Sequence, residues 1–91
     1  MEKNNTSPAS DSRIAVIGII VEDPSSVEKL NAILHNYSPY ILGRMGIPYR
    51  EKNMSIISIV MDAPANEISA LSGKLGMLPN VNTKTVYSKK T

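Results

Sequence analysis

Two stretches of this chain repeat one pattern. Ala15 to Tyr37 and Ile57 to Leu78 each run from an apolar strand, through an acid and a proline that stop it, into an amphipathic helix. In the first helix Val27, Leu30, Leu34 and Tyr37 recur at steps of three, four and three, and in the second Ile68, Leu71, Leu75 and Leu78 keep the same rhythm. That spacing lines four apolar side chains along one helical stripe. A further strand follows each copy. The doubled unit predicts an α+β fold, a βαββαβ two-layer sandwich with a four-stranded antiparallel sheet and two helices on one face.

The boundaries follow from local chemistry. Met1 to Ser12 is polar, carries Asn5, Thr6, Ser7, Pro8 and Ser10, and reads as a disordered tail; residues 13–88 form the single domain. The first strand runs from Arg13 to Glu22. Asp23 is placed to cap the helix that follows and Pro24 to sit in its first turn, with Ser25 and Glu28 an alternative capping box. Asn36 is the expected left-handed exit, before Ser38-Pro39 breaks the chain. The second strand, about Tyr40 to Tyr49, contains Gly43, Gly46 and Pro48 and is expected to be irregular and near an edge. Arg50 to Asn53 reads as a hairpin loop and Met54 to Asp62 as the third strand. Pro64 opens the second helix, Gly76 ends it, and Val81 to Ser88 is a half-exposed edge strand.

The first and third strands are apolar on both faces. Ala15, Ile17, Ile19 and Val21 alternate with Ile14, Val16, Gly18 and Ile20, while Ile57, Ile59 and Met61 alternate with Met54, Ile56 and Val60. Two helices cover only one face of a four-stranded sheet, and monomers rarely leave such rows in water. The open face is therefore expected to join copies of the chain into a homo-oligomer, a dimer or a tetramer.

Chemistry is sparse. There is no cysteine, one histidine and a net charge of +2. Thiolate chemistry is excluded, His35 has no partners for a metal site, and no acid–base pair is visible, so no catalytic residue, metal or cofactor is expected and the chain reads as a non-enzyme. No run approaches the ~20 apolar residues of a membrane span, and no signal-peptide core is present, which points to the cytoplasm. A direct nucleic-acid role is not expected either: the third strand, Met54 to Met61, has no aromatic on which a base could stack. The Val21-Glu22-Asp23-Pro24 junction is acidic where a phosphate-cradling enzyme of this topology would need glycines and an arginine.

One segment has the makings of a small-ligand site. Tyr40 and Tyr49 bracket the glycine-containing second strand, beside Arg44 and Arg50. Arginines offer fixed positive charge, tyrosines offer flat walls with a polar tip, and Gly46 allows close approach. Tyr40, Arg44, Gly46, Tyr49 and Arg50 are the candidate ligand-binding residues. The plainer alternative is an interface strand with arginines at its rim.

The stretches Arg13 to Asp23, Tyr40-Ile41-Leu42-Gly43-Arg44-Met45-Gly46-Ile47-Pro48-Tyr49 and Ile57 to Pro64 carry a resemblance. Across nearly all of residues 13–88 the chain resembles the small proteins named as regulators of iron-only hydrogenase systems. These are similar to the C-terminal domain of nickel-responsive repressors and to ACT domains. The resemblance implies a ferredoxin-like, oligomeric, regulatory module that senses a small molecule or a protein partner. It brings no binding residues with it. Between Tyr40 and Asp62 there is neither histidine nor cysteine to hold nickel, and twelve polar residues cannot form the repressors' DNA-binding segment. Glu22-Asp23-Pro24 lacks the glycine that ACT domains use for amino acids. A structural protein–protein interaction module without a ligand is the alternative function.

Overall fold

The protein, described as a computed structural model over residues 12–90, folds as β1 (Ser12–Val21), α1 (Val27–Asn36), β2 (Ile41–Tyr49), β3 (Met54–Pro64), α2 (Ala65–Gly76) and β4 (Val81–Tyr87). The tail read at Met1 to Ser12 lies outside the described residues except for Ser12, which already pairs with Pro64. The sheet order is β2-β3-β1-β4 and every pairing is antiparallel. This is the ferredoxin-like α+β sandwich, with the two doubly apolar strands in the middle and the bulged β2 and half-exposed β4 at the edges.

Burial follows the alternation of the strands. Ala15, Ile17, Ile19 and Val21 of β1 and Ile57, Ile59, Met61 and Ala63 of β3 are buried, and they share one core with Leu30 and Leu34 of α1 and Ile68, Leu71 and Leu75 of α2. Each helix thus contributes its apolar stripe to the same face of the sheet. Tyr37 closes one end of that core, and the Lys74 ammonium lies 5.1 Å from the centre of its ring. On β4 the inward register turns polar. The hydroxyl of Ser72 on α2 lies 3.3 Å from those of both Thr83 and Thr85, so the core thins out toward that edge.

The junctions differ from the sequence reading in instructive ways. Asp23 does cap, but over a 3-10 turn, Pro24–Ser26, that precedes α1; its carboxylate accepts from the Ser25 N–H at 3.0 Å and the Ser25 hydroxyl at 2.8 Å. These bonds, the hydroxyl's first, hold its pKa below the usual carboxylate value. The alternative capping box does not form, because Ser26 occupies the N-cap of α1 and its buried hydroxyl turns away to the Pro79 carbonyl. Asn36 ends α1 without a left-handed exit: Tyr37 has φ −107° and the chain passes into a 3-10 turn at Ser38–Tyr40. The two asparagines that do take the left-handed region are Asn53, before β3, and Asn80, before β4. Pro64 closes β3 and, as expected, opens α2, standing at its N-cap.

Candidate functional site

The face of the sheet away from the helices is open and apolar. Ile14, Val16 and Ile20 of β1, Ile56 of β3, Met45, Ile47 and Tyr49 of β2 and Val86 of β4 are all exposed on it, and Leu42 is exposed at the bulge between Ile41 and Gly43. Strand register arranges these side chains in rows across the sheet. One row reads Gly43, Val60, Val16, Val86 and another reads Ile47, Ile56, Ile20, Asn82. Between them lies Met45, Ser58, Gly18, Lys84, so the two smallest outward residues of the central strands stand side by side.

That central row makes a hollow of about 470 Å³ with Gly18 and Ser58 as its floor, Ile20 and Ile56 as its walls, and Asn82 and Lys84 at its rim. The volume falls within the range of small-molecule pockets. Gly18 is not there for backbone reasons. No glycine among the described residues has a positive φ, and a Cβ on Gly18 would meet nothing nearer than the Lys84 carbonyl at 4.0 Å.

The structure distributes the five residues singled out on β2 over different places. Tyr40 precedes the strand and packs partly buried against the core, whereas Tyr49 ends it; nine steps along the extended chain separate them by about 30 Å. Arg44 and Gly46 register with Ile59 and Ile57 and so share the helix side, while Tyr49 registers with Met54 on the open side. Arg50 begins a 3-10 turn beyond the strand. Only pairs of them meet: Arg44 with Gly46 in a shallow depression that also touches Val27, and Tyr49 with Arg50 beside Pro24. Neither Gly43 nor Gly46 is required by close approach, since a Cβ would meet nothing within 4 Å at the first and only Ile57 Cγ1 at 3.8 Å at the second.

Arg44 has a different set of neighbours. Its guanidinium donates to Asn31 Oδ1 at 2.7 Å, and with His35 and Ser38 it lines a polar groove of about 380 Å³ between α1 and β2. His35 enters this groove because the turn at Ser38–Tyr40 folds the end of α1 back beside the edge strand. Among the described residues no three His, Asp or Glu side chains gather as a metal centre would need. No helix among them is long and apolar enough to cross a membrane.

The hollow at Gly18 escapes a reading of sequence because it is assembled from three strands whose contributions lie 24 or more positions apart. The signal lies in the break in each outward row: Gly18 among Ile14, Val16 and Ile20, and Ser58 among Ile56 and Val60.

Comparison with known proteins agrees with this architecture. A family model, TM1266-like and described as "Iron-only hydrogenase system regulator, putative", matches residues 13–85. Protein TM1266 from Thermotoga maritima, an uncharacterized protein of solved structure, is 44% identical and superposes with a TM-score of 0.83. The match covers 86% of this chain and 99% of that one. No curated protein matches. By family model, by identity and by fold, this chain belongs to the TM1266-like family of iron-only hydrogenase system regulators.

Proposed function

We propose that this protein is a non-enzymatic, cytoplasmic regulatory module of an iron-only hydrogenase system. It works as a homodimer whose subunits meet through the open faces of their sheets, and it receives a small molecule or a protein partner at that interface. The observation that carries this reading is the collection of exposed Ile, Val, Leu, Met and Tyr side chains on one face of the sheet.

Magnitudes support it. Four strands about 4.8 Å apart, each roughly eight residues long at about 3.3 Å per residue, give a face of roughly 500 Å² in projection and more in accessible area. Two such faces pressed together bury about 1,000 Å² or more, the size at which interfaces become specific. At ~25 cal/mol per Å² the apolar part offsets a large share of the association cost, which is itself several kcal/mol. A symmetric pair also uses the same patch on both subunits, so one apolar surface suffices.

Sedimentation equilibrium of the purified protein at micromolar concentration tests the assembly. A species of twice the chain mass is expected, and a stable single-chain species overturns the reading. The regulatory half is tested by deleting the protein from a host that carries an iron-only hydrogenase. Hydrogenase activity or abundance is expected to change, and identical values with and without the protein would refute that half.

A further inference from the structure

The hollow at Gly18 and Ser58 sits in the middle of the surface proposed to pair, and a glycine there is costly. In the interior of a strand a glycine is less stable than alanine, because it gives up more backbone freedom on folding. In Gly18 that cost has no return within the subunit, because the backbone is not left-handed and a Cβ has room. What the missing side chain does provide is space above the central strand, matched by Ser58 directly opposite.

The charge at the rim narrows what fills the space. Lys84 lines the hollow and has no ion pair among the described residues. The acids nearest in register are Asp62, opposite Ile14, and Glu22, just past β1; each is four positions along a strand from the hollow, about 13 Å away. When a second copy covers the face, Lys84 is withdrawn from water together with Asn82 and Ser58. An ammonium buried without a counter-charge is expensive. A purely apolar knob from the partner, such as Met45 or Ile47, fills volume but leaves that charge unpaired.

We infer that the Gly18–Ser58 hollow is a binding site for a small amphiphile with an apolar body and a single anionic end. The body lies on Gly18 between Ile20 and Ile56, and the anionic end accepts hydrogen bonds from the Lys84 ammonium and the Asn82 amide at the rim. This inference rests on the proposed pairing, since the second subunit closes the hollow from above. The ligand thereby completes the interface, and occupancy strengthens association.

Octanoate is the probe, with octanol as its uncharged counterpart, titrated into the intact protein by calorimetry while amide NMR shifts are followed. Saturable octanoate binding is expected, with shifts centred on Gly18, Ile20, Ile56, Ser58 and Asn82. Lys84→Gln should weaken octanoate about tenfold, the value of one charge-assisted contact of ~1.4 kcal/mol, and leave octanol unchanged. Gly18→Val should abolish the binding of both by filling the floor. Sedimentation of the unliganded protein separates this inference from the one beneath it. A dimer that takes up no octanoate, or whose octanoate binding survives Gly18→Val, overturns the hollow as a site and leaves the pairing standing. A monomer with or without octanoate overturns both. Equal loss of octanoate and octanol on Lys84→Gln overturns the anionic end.

Discussion

The Ser26 hydroxyl donates a 2.8 Å hydrogen bond to the Pro79 carbonyl, tying the start of α1 to the turn before β4. A second link, from the Glu22 N–H to the Asn80 carbonyl at 2.8 Å, runs beside it. Together they fasten the strand-to-helix junction of the first repeat to the helix-to-strand junction of the second.

Ser26 is the one buried polar side chain among the described residues. Ser26→Ala removes its bond and leaves the Pro79 carbonyl without that donor, at a cost of about 1–2 kcal/mol. In a domain of this size each kcal/mol lowers Tm by about 4–8 °C. A thermal melt that does not move would show that this link contributes nothing to stability.

Ile56 and Ile57 are sequence neighbours with opposite fates, the first on the open face and the second in the core. Ile57→Lys places a charge in the core and is expected to unfold the domain. Ile56→Lys should keep the circular dichroism spectrum of the native fold and shift the protein to single subunits in sedimentation. A dimeric Ile56→Lys variant would move the interface elsewhere.

Asn80 holds φ 58° in the turn before β4. Left-handed backbone costs a residue with an ordinary side chain roughly 1–2 kcal/mol, while glycine adopts it freely. Asn80→Gly is therefore expected within about 0.5 kcal/mol of the parent. Asn80→Val should lose on the order of 1 kcal/mol or more in urea unfolding, with the slope of the transition unchanged.

Asp23 contributes to how stability depends on pH on the acid side. Its pKa in the folded protein is lowered from 3.8 by bonds to the Ser25 hydroxyl and N–H. The unfolded chain therefore binds the proton first, and the contribution of Asp23 is complete above its unfolded pKa. It fades as pH falls through the lower folded value. Asp23→Asn should flatten the decline in Tm below about pH 4 relative to the parent, and parallel curves would remove Asp23 from the account.

Arg44 reaches Asn31 across exposed surface. Arg44→Ala is expected to change stability by no more than about 0.5 kcal/mol and to leave assembly intact. Dissociation of the dimer on this substitution would bring the helix-side edge of β2, and not only its open face, into the interface.

The fold was legible because both periods are clean. Two helical stripes and two doubly apolar strands leave little freedom in the layers, and the outward and inward sets of β1 and β3 match their alternation residue by residue. The candidate site was harder to read, for a geometric reason. Tyr40, Arg44, Gly46, Tyr49 and Arg50 are close in sequence, yet a strand alternates its side chains and extends by about 3.3 Å per residue. Neighbours along β2 are thus sent to opposite faces and distant ends. The hollow at Gly18 and Ser58 depends instead on the β1–β3 register, and a slip of one residue would bring Gly18 opposite another side chain. Composition does not encode that register. The exit of α1 misled for a smaller reason, since the Ser38-Pro39 turn reverses the chain without a left-handed residue.

The order β2-β3-β1-β4 has a consequence for how the chain comes together. β1 pairs with β3 and β4, and β2 pairs with β3, so every ladder in the sheet joins the first repeat to the second and none lies within either. A cut in the exposed turn at Arg50–Lys52 would yield two fragments, neither of which holds a single strand pair of its own. Each would be a template for the other, and mixing them would restore the native ladders. A lone repeat could build the same four-stranded layer only by meeting another repeat of its kind, so in this chain intramolecular folding already has the form of an association between two like halves.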